Sequence, residues 1–139
     1  SRMHRTFESE AGLLGVVCTA AGIMTAAPYR AAQSDHWIFD GTGLDNGDLF
    51  GENSLHERIH GGASGHETDK ISSHSPSGTV LLAKGVNPEE GGAEMAYYEL
   101  PTGGAVFSAG SITYVHCLLV DDAISRITHN VLTRFLKEE

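Results

Sequence analysis

A chain of 139 residues with 40% hydrophobic and 19% charged side chains has enough material for one core and not comfortably two. That balance excludes a disordered chain, and a formal charge of −9 excludes unassisted binding to nucleic acid or to an anionic membrane. No apolar run reaches the length of a bilayer span, and Ser1-Arg2-Met3-His4-Arg5 lacks the apolar centre of a signal peptide.

In chain order, Arg5 to Ala11 is polar and reads as a lead-in from something else. Leu13 to Cys18 is a short continuous apolar run, which predicts a buried strand. The Ala-rich stretch that follows, up to Pro28, is ambiguous. His36-Trp37-Ile38-Phe39 predicts a second strand, closed by Asp40-Gly41-Thr42-Gly43. Gly41, Gly43 and Gly47 are spaced one residue too long for a dinucleotide fingerprint, and no clear helix follows, so this stretch reads as a turn. Thr79 to Ala83 predicts a third buried strand. Met95 to Leu100 and Ala105 to Ala109 flank Pro101-Thr102-Gly103-Gly104, a β-hairpin signal.

Asp121 or Asp122 can cap a closing helix. On it Ile124, Ile127, Val131, Leu132 and Phe135 share one side, with Arg126, Asn130, Arg134 and Lys137 elsewhere. Strands, a hairpin and a closing helix predict an α/β or α+β architecture. The elements are too few for a complete doubly wound domain, so residues 1–139 read as a single domain or the C-terminal fragment of a larger one. Cys18 and Cys117 lie far apart in apolar surroundings and read as two reduced, buried thiols of a cytoplasmic protein. Cys18 stands where a nucleophile elbow would place it, but Val16 and Ala20 occupy the positions where an elbow needs glycine.

Most of the chemistry lies between Leu55 and Ser72, in LHERIHGGASGHETDKIS, which holds three of the eight histidines. One reading is a zinc site. His56, Glu57 and His60 have the spacing that, on a helix, sets two imidazoles one turn apart beside a glutamate able to activate a metal-bound water. His66 stands where metzincin proteases carry a third ligand, and Met95 with Tyr97 and Tyr98 loosely resembles a Met-turn. Against it, Gly61-Gly62 would break the helix, Ala63 replaces the glycine of that family, and Arg58 puts a cation inside the motif. Solvated loop histidines are the bland alternative for His56 and His60.

The other reading makes Gly61 to Lys70 an active-site loop. Glu67 beside His66, followed by Asp69 and Lys70, forms a proton-transfer set. Gly61, Gly62 and Gly65 would let the backbone approach a small ligand, and Ser64 adds a hydroxyl. A polar turn in which Glu67 and Lys70 pair as helix neighbours uses the same residues without chemistry.

Several blocks then resemble one family: GENSLHER with GGASGHETDKIS, GTVLLAKG, YYELPTGGAVFSAGSI and SRITHNVLTRFL. In order and spacing they are similar to the C-terminal region of the N,N-dimethylformamidase large (beta) subunit family, from about Phe7 to Leu136. The resemblance implies a class I glutamine-amidotransferase-like (flavodoxin-like) three-layer α/β fold. It implies cleavage of the C–N bond of a small amide such as N,N-dimethylformamide by metal-activated water. It also implies a mononuclear iron held by two tyrosines and a glutamate in the complete subunit.

The resemblance covers only the end of a much longer subunit, which implies that the iron ligands lie upstream of residue 1 and that no metal ligand is expected in this chain alone. Tyr97 and Tyr98, alternating to opposite faces of a strand, are not assigned to the iron. The implied partners are the remainder of the large subunit or a homo-oligomer partner, with no nucleic acid and no membrane. Carried onto this sequence, Glu67 would orient or deprotonate the attacking water, supported by Ser64, His66, Asp69 and Lys70. The competing class is a non-catalytic fragment or accessory module of the same fold.

Overall fold

A computed structural model describes residues 8–137, and its spine is the hairpin that the Gly-Gly turn predicts. The elements run α1 (Ala11–Leu14), β1 (Val17–Thr19), β2 (Ala26–Ala27), β3 (Tyr29–Ala31), β4 (Leu49–Phe50), β5 (Ser64–Gly65), β6 (Thr68–Lys70), β7 (Val80–Gly85), β8 (Glu94–Glu99), β9 (Ala105–Ser108) and α2 (Asp122–Phe135). Among the described residues two 3-10 turns, Trp37–Phe39 and Thr113–Cys117, join these elements. Five strands form one antiparallel sheet in the order β4-β3-β7-β8-β9. Gly103 adopts φ +100 in the β8–β9 turn, a conformation that suits glycine.

The protein is therefore a mixed helix and strand domain. Every ladder among the described residues is antiparallel, so they do not themselves contain the parallel sheet of a doubly wound layer. β8 shows why both sheet faces are covered. Met95 and Tyr97 point into the main core with Ile124, Ile127 and Val131 of α2, and with Ile38, Phe39, Tyr114 and Cys117 of the 3-10 turns. Tyr98 points the other way and donates to the carbonyl of Leu13 in α1. A bulge between Leu81 and Ala83 lets Leu82 and Ala83, neighbours in sequence, both be fully buried.

Two predicted strands are not strands. The run from Leu13 is split by Gly15 at φ +80, which ends a single turn of helix and leaves Leu13 and Leu14 exposed; only Val17 and Cys18 of that run join a ladder. His36 to Phe39 is a 3-10 turn because the ring of His36 accepts from the Ile38 amide and caps it. Ile38 and Phe39 are buried all the same, so the apolar run reports burial and not extension. The polar lead-in begins at Arg5, outside the described residues, and enters them at Glu8.

The closing helix forms as predicted, with the Asp121 carboxylate accepting from the Ile124 amide. Its buried side is narrower than the sequence suggests. Ile124, Ile127 and Val131 are buried, but Leu132 is 56% and Phe135 44% exposed. Phe135 has nearly the azimuth of Ile124 at roughly 100° per residue, yet it lies past the end of the core. Ile127→Ala should therefore cost about 2–5 kcal/mol, and Phe135→Ala well under the ~3–5 kcal/mol of a buried ring. Urea melts of the two variants check this order.

Among the described residues no helix is long and apolar enough to cross a membrane. Cys18 is half-buried on β1, Cys117 is buried, and no disulfide joins them. Burial pushes the Cys117 thiol upward in pKa, which keeps it protonated.

Candidate functional site

The segment from Gly61 to Lys70 is not a loop. β5 pairs with β2, placing Ser64 against Ala27, and β6 pairs with β1, placing Thr68 against Thr19. On its other edge the Gly65 amide donates to Ser111 Oγ at 2.7 Å, and the Asp69 amide donates to the Gly110 carbonyl at 2.8 Å. The segment is thus two short strands, β5 and β6, joined by a bend at His66 and Glu67 and hydrogen-bonded on both sides. The kink falls at His66, whose φ is +69.

Its glycines answer to protein backbone, not to ligand. A Cβ on Gly61 would sit 2.2 Å from the Ala26 carbonyl oxygen, and one on Gly65 2.1 Å from that of Thr25. Ser64 likewise has a structural setting. It is fully buried, its Oγ donates to Asn87 Oδ1 at 2.7 Å, and it accepts from the Ala93 amide at 2.9 Å. Asn87 returns hydrogen bonds to the Ser64 carbonyl and to Thr25 Oγ1, both at 2.9 Å.

Within residues 62–70 Glu67 is the one exposed side chain. Its carbonyl accepts from the Ile112 amide. Its carboxylate makes no hydrogen bond or ion pair among the described residues. Lys70 lies apart from the imidazoles in its contacts: its ammonium donates to Thr68 Oγ1, and burial lowers its pKa against the raising effect of Glu94. Glu94 also approaches Lys84, which pairs with Glu90 at 3.0 Å. Asp69 is half-buried on β6, opposite Cys18. The five residues singled out from the sequence therefore lie on β5, β6 and the bend between them, and do not form one cluster of side chains.

His66 gathers different company. Its ring lies 6.0 Å from that of His56, and His56 lies 4.5 Å from His116, on the second 3-10 turn. The Nδ1 atoms of His66 and His116 are buried without a hydrogen-bond partner. Sequence spacing does not reveal His116, which is far along the chain and belongs to no motif. It is brought in by the Leu55 amide donating to the His116 carbonyl at 2.9 Å.

The zinc reading fails on geometry. Residues 51–60 form no helix, so His56 and His60 are not one turn apart on a common face. His56 Nδ1 instead accepts from the amides of Arg58 (3.2 Å) and Ile59 (2.9 Å). An imidazole whose Nδ1 lone pair is so engaged carries its proton on Nε2 and has no lone pair there for a metal. His60 is exposed. Among the described residues no three His, Cys, Asp or Glu side chains are arranged to hold a metal ion.

The pKa of His56 is lowered from 6.5, first by desolvation and then by His116, His66, His60 and Arg58. That of His36 is lowered chiefly by burial. Both rings cap a turn only while Nδ1 is unprotonated. The unfolded chain binds these protons first, so the caps contribute fully above about 6.5 and are lost as pH falls through the lower folded values. The melting temperature should fall between pH 7.5 and 5. That fall should shrink in a His36→Asn, His56→Asn double variant, which keeps a capping oxygen that does not titrate.

Fold and site together define a mixed helix and strand domain. In it Glu67, an exposed acid without a side-chain partner among the described residues, adjoins His66, whose ring lies near His56 and, through it, His116. A family model described as N,N-dimethylformamidase beta subunit-like, C-terminal, matches residues 2–128, and the chain belongs to that family. It is 33% identical to the N,N-dimethylformamidase beta subunit of Paracoccus aminophilus over 147 aligned residues, covering 86% of this chain. It is 29% identical to the protein of the same name from an Alcaligenes species, again over 86% of this chain. The chain spans 19% of the length of each of these relatives.

Proposed function

We propose that this chain is the C-terminal part of the large subunit of a small-amide hydrolase, in which Glu67 takes a proton from the attacking water. One observation carries the assignment of the residue. Glu67 is the sole exposed side chain between residues 62 and 70, in the bend that joins β5 to β6, and its carboxylate has no hydrogen-bond or ion-pair partner among the described residues. Such a group is available to a substrate. Family membership and the relatives' names support the reaction class and association with further subunits. The substrate is a small linear amide such as N,N-dimethylformamide, and the products are a carboxylate and an amine.

The iron that the family resemblance implies does not fit this chain's tyrosines. Tyr29 donates to the Ala109 carbonyl, Tyr97 to Glu99, Tyr98 to the Leu13 carbonyl, and Tyr114 shares a hydrogen bond with Thr128. No two of these hydroxyls meet at one carboxylate. We assign the iron ligands, and the parallel sheet of a glutamine-amidotransferase-like layer, to the remainder of the subunit. A cytoplasmic location belongs to the same proposal, in keeping with two cysteines that form no disulfide. The deciding experiment is amide turnover by the complete subunit carrying Glu67→Gln, beside one carrying Glu57→Gln. Equal turnover of the two, or the greater loss at Glu57, overturns the assignment.

A further inference from the structure

His56 is a ring held in one orientation and one tautomer. Two backbone amides, Arg58 at 3.2 Å and Ile59 at 2.9 Å, occupy Nδ1, so the proton sits on Nε2. Nε2 has no hydrogen-bond partner among the described residues, and it is not among the ring nitrogens that are buried. The ring borders an open depression of about 350 Å³, shared with Leu55, Glu57, Arg58 and His116. Nδ1 of His116, which also lines it, and Nδ1 of His66, whose ring lies 6.0 Å from that of His56, are buried without partners among the described residues. Orphaned buried polar atoms are rare in folded proteins and recur where a water or ligand completes the site.

The charges around the depression select its occupant. Glu57 and Arg58 both line it, so their charges offset and neither an anion nor a cation is favoured. Leu55 supplies an apolar wall. A small neutral molecule with one acceptor oxygen and an alkyl end matches that lining. A neutral imidazole oriented by backbone N–H donors is suited to polarising a carbonyl without carrying a full charge. Desolvation first, and then His116, His66, His60 and Arg58, disfavour protonation of the ring.

We propose that His56 is a binding residue for a small amide, its Nε2–H donating to the carbonyl oxygen of a molecule seated between Leu55, Arg58 and His116. The ligand class rests on the amide-hydrolase reading above; the donor rests on geometry alone. Long-range proton–nitrogen correlation spectra of the ¹⁵N-labelled chain test the donor directly. His56 should show the Nε2–H tautomer, and its Nε2 resonance should shift saturably with N,N-dimethylformamide but not with sodium chloride. An Nδ1–H tautomer, or no saturable shift in either the chain or the complete subunit, overturns the proposal.

In the complete subunit His56→Ala should lower kcat/KM about tenfold, the loss of roughly one hydrogen bond. His56→Gln, which keeps a side-chain N–H, should stay within about threefold of wild type. Equal losses in the two variants also count against the donor role. If the wild-type subunit turns over no amide at all, the hydrolase reading fails, while the tautomer and the saturable shift still decide the role of His56.

Discussion

Exchanging Glu67 for glutamine in the complete subunit should lower kcat by roughly 10²–10⁴ while KM moves little. Glutamine preserves the shape and polarity of the side chain but cannot hold a proton. A base acts in the transition state, where the water is losing its proton, and contributes little to holding the ground-state amide. The strand beneath should be indifferent to the change, because the Glu67 side chain is exposed and its hydrogen bond to Ile112 is made by the backbone carbonyl. Melting temperature should therefore match wild type, which separates lost chemistry from lost structure. Steady-state kinetics with N,N-dimethylformamide and a thermal melt on the same sample suffice.

The second large effect concerns stability and falls far from any motif. Gly85→Ala should abolish folding or cost about 4 kcal/mol or more, combining overpacking with the loss of buried hydrogen bonds. The added Cβ would lie 2.0 Å from Ser64 Oγ and 2.6 Å from Asn87 Oδ1. Neither atom can move, since Ser64 binds Asn87 and Ala93 while Asn87 binds Thr25 and Ser64. Stabilities of ~5–15 kcal/mol leave little room for such a loss. Gly12→Ala is the control: its Cβ meets nothing nearer than 3.9 Å, so the change should stay within about 0.5 kcal/mol. Soluble yield and urea midpoints of the pair measure the contrast.

The parts of the fold that sequence makes legible are those held by local rules. The hairpin follows from its glycine turn, β7 from an apolar run between turn residues, and α2 from its cap and period. The His36 to Phe39 turn was hidden because apolar runs report burial, whereas the choice between strand and 3-10 turn was made by a side-chain cap. Phe135 has the right azimuth but no core left to meet, and only the tertiary structure sets where the core ends. The glycines from 61 to 65 read as freedom for a ligand. They are instead clearances for the backbone of residues 25–27, which no local pattern announces. Glu67 was readable as an acid beside a histidine. Its setting, with His56 and His116 gathered near His66, depends on contacts across the chain.

The pairing of β6 with β1 also bears on the order in which the molecule assembles. Thr19 and Thr68 are register partners and stand 49 residues apart, whereas β8 and β9 are joined by a short turn. Closing the long loop costs more chain entropy before any ladder bond forms, so the hairpin should nucleate early and β6, which adjoins Glu67, should dock late. A nascent or heat-stressed molecule would then hold β7, β8 and β9 together while the β3–β7 pairing and the edge that presents Glu67 are still open. Errors in maturation should accordingly spare the hairpin and show first in the long-range pairings of β1 with β6 and β3 with β7.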